Sequence, residues 1–188
     1  MYSAILNAIG NFTEHDQALF ENEVRLRYYQ KDEVLLQRGE VQRSIFYLLK
    51  GSAYQYNFKQ EAYQNIIELH AENEWFLNHQ SLVGQIPSDV FIAAYAPCTV
   101  LELTLEAIHQ LIGCSPTFLL LNKILESSTS RVHFFDNSST PLQKYQFVLD
   151  SRPQLLQEFP LKMIASYLKI TPETLSRTRE KWVRSVVS

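Results

Sequence analysis

The chain has 188 residues, of which 46% are hydrophobic and 12% aromatic, enough for a packed core in one or two domains. No apolar run approaches the roughly 18 residues of a membrane span, and no basic segment with an apolar core begins the chain, so we expect a cytoplasmic protein without a membrane partner. The net charge of −3 is unevenly spread: residues 160–188 carry six Lys or Arg against two Glu, a formal +4, which leaves −7 on the other 159 residues. A basic end on an acidic body is typical of proteins that bind a polyanion.

The side chains that usually carry catalysis or metals are sparse and scattered. Cys98 and Cys114 are the only cysteines, each in an apolar setting, and are expected to be reduced, buried thiols, with a disulfide or redox sensor as the alternative. An iron–sulfur cluster normally needs four ligands. The five histidines form no ligand pair on one strand, and no nucleotide-binding glycine loop or nucleophile motif is present. We therefore expect a protein that has no cofactor and no metal site and that is not an enzyme.

The first part of the chain predicts two short helices and then a β-domain. Helices are expected over Tyr2 to Gly10 and Thr13 to Leu26, with Thr13 as a cap. Short runs separated by turn residues then predict strands over 34–36, 44–49, 52–58, 62–70, 90–96 and 99–103. This spacing is typical of an antiparallel β-roll or barrel. We expect an α+β protein whose residues 1–115 form an antiparallel β-roll (a double-stranded β-helix).

A connecting helix is predicted over residues 116–137, from Thr117 to about Asp136. Apolar residues recur along it at alternating spacings of three and four, which is a heptad seam with one serine in it. The seam consists of Phe118, Leu121, Leu125, Ser128, Val132 and Phe135. The pattern fits a helix that pairs with a second copy, and it also fits an amphipathic helix lying on its own β-roll.

The final domain, residues 138–188, begins after the polar run that ends at Pro141. Leu161 to Trp182 reads as two short helices joined by a tight turn, with Thr171 as cap of the second helix and Pro172 at its first position. Leu175 and Trp182, seven residues apart, are expected to face inward, which leaves hydroxyl and cationic side chains facing out. This is the pattern of a helix-turn-helix, and an ordinary helical hairpin with a charged outer face is the alternative.

The same stretch carries a specific resemblance. Pro160 to Trp182, with IASYL followed by ITPETLSR, resembles the DNA-binding end of the Crp/Fnr transcription regulators, especially forms common in Bacteroidetes-type bacteria. The stretch KDEVLLQRGEVQRSIFYLLKGSAYQY resembles the start of their effector domain. The resemblance implies a winged-helix-like helix-turn-helix domain, a homodimer paired through residues 116–137, and a palindromic double-stranded DNA operator. It also implies that Glu173 and Arg177 read bases; the full set expected at the DNA is Thr171, Glu173, Thr174, Ser176, Arg177 and Lys181.

Two residues depart from the family pattern. Pro172 stands where many members carry a further base-reading arginine, so the operator preference is expected to differ. Lys169 stands where the turn usually has glycine, and if that residue is left-handed its side chain costs roughly 1 kcal/mol. With only six residues after Trp182, no β-hairpin wing is expected to follow the helices.

The resemblance also locates an effector site, and the groups that would hold a cyclic nucleotide are missing from it. Nucleotide-binding members use a glutamate on the ribose and, about ten residues later, an arginine on the phosphate. Matching the strand that ends at Ala94 puts Asn78 in the glutamate's place and Ser88 in the arginine's. An anion could still be held by backbone amides near Ser81 or Ser88, the pocket could take an apolar ligand, or its own side chains could fill it. The pocket residues expected are Trp75, Asn78, Ser81 and Ser88.

The sequence therefore predicts a homodimeric, sequence-specific DNA-binding regulator of Crp/Fnr type. Its β-roll would respond to a small molecule other than a cyclic nucleotide, or to none. The alternative is a small-molecule-binding β-roll receptor or enzyme whose helical C-terminus is only an interaction module.

Overall fold

Two four-stranded antiparallel sheets form the body of the protein. The computed structural model describes residues 2–59, 63–126 and 139–187. The strands are β1 (Arg25–Tyr29), β2 (Val34–Leu36), β3 (Ser44–Lys50), β4 (Ala53–Lys59), β5 (Tyr63–His70), β6 (Trp75–Phe76), β7 (Phe91–Ala94) and β8 (Cys98–Thr104). One sheet has the order β1-β8-β3-β6 and the other the order β2-β7-β4-β5. The predicted α+β class with an antiparallel β-roll is confirmed.

The core of the roll lies between the two sheets. Phe46 and Leu48 of β3 pack there with Ile92 and Ala94 of β7, all at most 4% exposed. Because side chains alternate along a strand, Tyr54 of β4 points to the opposite face of its sheet. The second sheet is therefore apolar on both faces, and its outer face must be covered by something else.

The β3–β4 turn depends on a glycine. Gly51 has φ +87°, a left-handed conformation that other residues adopt only with strain. A Cβ at this position would lie 2.3 Å from the carbonyl oxygen of Pro97. Both the left-handed backbone and the close approach of the neighbouring chain therefore require glycine at this turn.

Helices precede and follow the roll. They are α1 (Tyr2–Asn7), α2 (Glu14–Glu23), α3 (His79–Gly84), α4 (Leu105–Cys114), a 3-10 helix (Pro116–Leu121), α5 (Pro141–Ser151), α6 (Leu155–Glu158), α7 (Leu161–Tyr167) and α8 (Pro172–Val187). The helix predicted to reach Leu26 ends at Glu23, because β1 begins at Arg25 and pairs with β8 over five residues. Cys114, expected to be buried, is exposed at the end of α4, whereas Cys98 is buried.

The N-terminal helices and the start of the connecting segment share one apolar cluster. Leu6 and Phe20 of α1 and α2 pack with Leu111 of α4 and with Phe118 of the 3-10 helix, all at most 1% exposed. Residues 122–126 continue as helix. This end of the roll is therefore closed by its own chain.

The four C-terminal helices pack on the outer face of the second sheet. One apolar cluster joins Tyr54 and Tyr56 of β4 to Tyr145, Phe159 and Leu175 of these helices. The rings of Tyr54 and Tyr56 stack with centroids 4.9 Å apart. The β-roll and the C-terminal helices thus share a core.

Candidate nucleic-acid interface and effector pocket

The helical pair α7 and α8 is held by its own apolar residues. Ile164, Leu168 and Leu175 are completely buried. The half-buried ring of Trp182 meets Tyr145 edge-on, with centroids 6.3 Å apart. Because the inward positions are filled in this way, the cationic residues Arg177, Arg179, Lys181 and Arg184 of α8 are exposed on its outer side.

The turn between these helices is left-handed at Lys169, where φ is +57°. The amide of Ile170 donates to the carbonyl oxygen of Ala165 at 3.0 Å, and the amide of Lys169 donates to that of Ser166 at 3.1 Å. These two bonds are the Schellman pattern that ends many helices, usually with glycine at the left-handed residue. Lys169 therefore has the left-handed backbone conformation that costs a residue other than glycine roughly 1 kcal/mol.

The start of α8 is capped as predicted. The hydroxyl of Thr171 accepts from the amide of Thr174 at 3.2 Å. The pKa of Glu173 is lowered by a hydrogen bond from its own backbone amide, by the Thr171 hydroxyl and by the charge of Arg177. Glu173 is therefore an ionised acceptor at the exposed end of α8.

The six residues predicted to face DNA lie together along α8 and its start. Five of them are exposed and Thr174 is half-buried. The Thr178 hydroxyl is instead turned inward and donates to the carbonyl oxygen of Thr174 at 2.7 Å. A groove of about 340 Å³ runs between α8 and the start of α5; it is lined by Thr140, Pro141, Leu142, Thr174, Arg177, Thr178 and Lys181. The sequence did not indicate the α5 residues, because their place beside α8 depends on the fold.

A buried arginine joins the C-terminal helices to the β-roll. Arg152, which follows α5, is 5% exposed. Its Nη1 donates to Glu68 Oε1 at 2.7 Å and to the hydroxyl of Tyr167 at 2.9 Å. Its Nε donates to Glu74 Oε1 at 3.0 Å, and its Nη2 donates to Glu74 Oε2 and to the carbonyl oxygen of Leu69. All five N–H groups of the guanidinium therefore have partners in the fold.

In this cluster one guanidinium lies against two carboxylates. Burial would lower the pKa of Arg152, but Glu68 and Glu74 raise it above its ordinary value. Burial and the neighbouring Glu68 carboxylate raise the pKa of Tyr167, so this hydroxyl stays protonated. The cluster is a buried ion pair and hydrogen-bond network across the contact between roll and helices.

The same contact covers the free edge of β5, the last strand of its sheet. The Ile66 amide donates to Ser166 Oγ at 3.0 Å, and Lys169 Nζ donates to the carbonyl oxygen of Ile66 at 2.6 Å. Side chains of α7 and its turn thus provide hydrogen-bond partners for both the amide and the carbonyl oxygen of Ile66 at the edge of β5.

In the predicted effector pocket, Asn78 and Ser88 lie side by side and bond to each other. Asn78 Nδ2 donates to Ser88 Oγ at 3.3 Å, and Ser88 Oγ donates to the carbonyl oxygen of Val90 at 2.7 Å. Asn78 Oδ1 caps α3 by accepting from the amide of Ser81 at 2.9 Å. Asn78 and Ser88, which the sequence resemblance matched to the glutamate and the arginine, are buried and neutral, and they bond within the chain.

The other two predicted pocket residues have different surroundings. Ser81 is completely buried, accepts from the amide of Gln42 at 2.9 Å and donates to the carbonyl oxygen of Ile86 at 2.7 Å. Trp75 is not brought to this network: its ring meets Tyr47 edge-on, 5.1 Å between centroids, beside the N-terminal helices. The predicted grouping of four residues therefore divides into three that meet and one that lies apart.

The predicted dimer seam begins inside the protein's own core. Phe118 is completely buried and Leu121 is 5% exposed, both in the cluster with α1 and α2, while Leu125 is half-buried. Ser128, Val132 and Phe135 lie outside the described residues.

Within residues 2–59, 63–126 and 139–187, no group of three or more His, Cys, Asp or Glu side chains is placed to hold a metal ion. No helix in the same ranges has the length and apolar character needed to cross a membrane.

Comparison with known proteins supports this description of the fold. Residues 26–113 match the family model "Cyclic nucleotide-binding domain". A search of curated protein sequences finds no match to the chain. Among solved structures, FixK2 from Bradyrhizobium japonicum matches with a TM-score of 0.66 at 15% identity, over 86% of this chain and 85% of that one. A CooA variant from Carboxydothermus hydrogenoformans matches with a TM-score of 0.65 at 17% identity, over 96% and 84%.

The catabolite activator protein of Thermus thermophilus gives a TM-score of 0.57 at 15% identity, over 94% of this chain and 86% of that one. At these identities the likeness concerns the fold. Residues 26–113 thus match the cyclic nucleotide-binding domain model, and the chain has the fold of these solved structures.

Proposed function

We propose that the protein is a sequence-specific DNA-binding transcription regulator of Crp/Fnr type, which acts as a homodimer and without a cyclic nucleotide. It is a binding protein rather than an enzyme. The observation that carries the proposal is the outer side of α8, where Arg177 and Lys181 are exposed above a completely buried Leu175.

The shape and charge of this surface suit the major groove of DNA. A recognition helix needs a rigid base and polar side chains near its N-terminal end. Here α8 starts with a satisfied cap, Glu173 is ionised, and Arg177 follows one turn later. By resemblance, Glu173 and Arg177 read bases; Thr171, Thr174, Ser176 and Lys181 contact bases or phosphates. The net +4 of residues 160–188 favours the approach of a polyanion.

The buried Asn78–Ser88 pair supports the proposed independence from cyclic nucleotides. A cyclic phosphate carries a negative charge, and burying it needs a cation or several free amides. Neither side chain supplies charge, and Ser88 Oγ already donates to Val90. A nucleotide would have to break these bonds without gaining an ion pair.

Dimer formation is proposed through the later part of residues 116–137. Phe118 and Leu121 are engaged in the core of their own chain, so they support the connecting helix rather than meet a partner. Leu125, Ser128, Val132 and Phe135 continue the heptad pattern and are the residues assigned to the pairing. A two-fold protein suits a palindromic operator.

Selection of random duplex DNA on the purified protein, at two salt concentrations, tests the proposal. We expect an enriched palindrome whose binding weakens steeply as salt rises. Arg177→Ala should lose about 1–3 kcal/mol of discrimination at one base step, whereas Lys181→Ala should weaken all sequences alike. Arg38→Ala, an exposed change on the roll, is the matched control. No enrichment, or unchanged selectivity in the Arg177 variant, would contradict these roles.

Cyclic AMP provides the second test. A ligand at a hundred times its dissociation constant stabilises a protein by about 2.7 kcal/mol, which is readily seen as a rise in Tm. We expect no rise in Tm and no change in operator affinity when cyclic AMP is added. A rise in Tm would show that the Asn78–Ser88 pair does not exclude the nucleotide.

A further inference from the structure

We infer that Arg152 is a positioning residue that locks the C-terminal helices to the β-roll and thereby fixes where each recognition helix stands. The inference rests on the proposed function. It concerns a residue whose side chain bonds to Glu68, Glu74, Leu69 and Tyr167, none of which is among the predicted DNA contacts.

The contacts of Arg152 span the two parts of the chain. Its partners Glu68 and Glu74 lie 84 and 78 residues away in sequence, on β5 and just before β6. Its third partner, Tyr167, is the last residue of α7, directly before the turn that leads into α8. One guanidinium thus holds two elements of the roll and one end of the helical pair.

The geometry of this contact is more specific than apolar packing alone. Aromatic and aliphatic groups can slide against one another at small cost, whereas a planar guanidinium bonded to two carboxylates and a hydroxyl permits only one arrangement. Ser166 and Lys169 add two further hydrogen bonds to Ile66, which fix the position of the turn along the edge of β5. The orientation of α8 relative to the roll is therefore set by named polar contacts.

This orientation matters because two copies must place two recognition helices on one duplex. Each base pair added between half-sites moves one of them by about 3.4 Å and rotates it around the DNA axis, with 10 to 10.5 base pairs per turn. A protein with locked helices accepts one spacing; a protein with loosely attached helices tolerates several. Loss of the lock should leave the affinity for one half-site unchanged and remove the preference for spacing.

The test variant must avoid leaving carboxylates buried without a cation, because that alone could prevent folding. Arg152→Met combined with Glu68→Gln and Glu74→Gln removes the charges together and keeps similar volumes. Arg38→Met is the matched control, since it removes an exposed arginine from the roll.

The first measurement needs no DNA. The chain has two tryptophans, Trp75 in the roll and Trp182 in α8, so Trp75→Phe and Trp182→Phe versions each report one part by fluorescence. With the arginine network intact, both reporters should give the same denaturation midpoint, and in the triple variant the two midpoints should separate. The inference would be overturned if the two reporters gave the same midpoint in the triple variant, or different midpoints in the parent protein.

The second measurement uses the selected operator with its natural spacing, with one base pair inserted, and as a single half-site. Joining two sites at fitting geometry can raise affinity by about 10²- to 10⁴-fold. We expect the parent to lose most of that gain on insertion, and the triple variant to lose at least tenfold at the natural spacing with half-site affinity unchanged. An equal spacing preference in both proteins would overturn the positioning role. Failure of the parent to bind any duplex would overturn the proposed function, while the tryptophan midpoints would still decide the lock.

Discussion

The left-handed lysine in the α7–α8 turn gives a sharp prediction, because two effects of similar size act in opposite directions at one residue. Lys169→Ala keeps the left-handed backbone and removes the bond from Nζ to the Ile66 carbonyl oxygen. A hydrogen bond from a charged group contributes about 1.5–3 kcal/mol when well buried, and less here because the lysine is exposed. We therefore expect Lys169→Ala to lower the free energy of unfolding by about 1 kcal/mol.

Lys169→Gly removes the same bond and also relieves the backbone strain. A non-glycine residue in the left-handed region costs about 1–2 kcal/mol, so the relief offsets most or all of the lost bond. The expected order of stability places the glycine variant about 1 kcal/mol above the alanine variant and near the parent.

Urea denaturation measures this order, with equal slopes as the sign that the unfolded states are comparable. Lys181 provides the matched control, since it is exposed within α8. There glycine should be less stable than alanine by about 1 kcal/mol, the reverse of the order at the turn. Alanine more stable than glycine at Lys169 would show that this turn is not left-handed in solution.

Three further predictions concern single residues. Gly51→Ala should destabilise the protein by about 3 kcal/mol or more, seen as a lower Tm, because its Cβ would collide with the Pro97 carbonyl and its φ is +87°; a change below 1 kcal/mol would contradict the close approach. In native protein only the exposed Cys114 should react quickly with a thiol reagent, since burial raises the pKa of Cys98 to about 11; rapid reaction of both thiols would refute this. The pKa of Glu173 is lowered on folding, so its stabilising contribution is present above its ordinary value of 4.5 and is lost as pH falls through the lower folded value. Glu173→Gln should therefore make the free energy of unfolding less dependent on pH in that acidic range. An unchanged pH dependence would contradict the lowered pKa.

The parts of the fold that the sequence predicted are those set by local chemistry. The cap of α8 involves residues only three apart, Thr171 and Thr174, so the sequence contains all the information it needs. The roll was recognisable from short apolar runs between turn residues. β1 was missed because Arg25–Tyr29 is largely exposed on both faces and so lacks the alternation of a half-buried strand.

The heptad pattern of the connecting segment shows why the spacing of apolar residues does not identify the surface against which they pack. Apolar residues three and four apart lie on one face of a helix whether that face meets a second copy or the protein's own core. Phe118 and Leu121 meet α1 and α2, and nothing in their spacing distinguishes that outcome. The Arg152 network was beyond reach for a related reason, because its carboxylates lie 78 and 84 residues away and pair with it only once the helices pack on the sheet.

The arginine network reaches close to the predicted effector pocket, because Glu74 lies four residues before Asn78 in the sequence. Glu74 begins the segment that continues through Asn78 to Ser88, and its carboxylate is bound by Arg152. At its centre, the same segment is closed by the bond between Asn78 and Ser88. A ligand acting here would have to disturb either a neutral buried pair or a buried ion pair, and breaking an ion pair by loss of one partner costs about 3–5 kcal/mol. If only the arginine network is disturbed, the change reaches Tyr167 and the turn before α8 directly. Together with the bonds from Ser166 and Lys169 to Ile66, the Arg152 side chain gives the roll a polar connection to the turn before α8. We expect any influence of the roll on the proposed DNA contacts to weaken in the triple variant that lacks the arginine network.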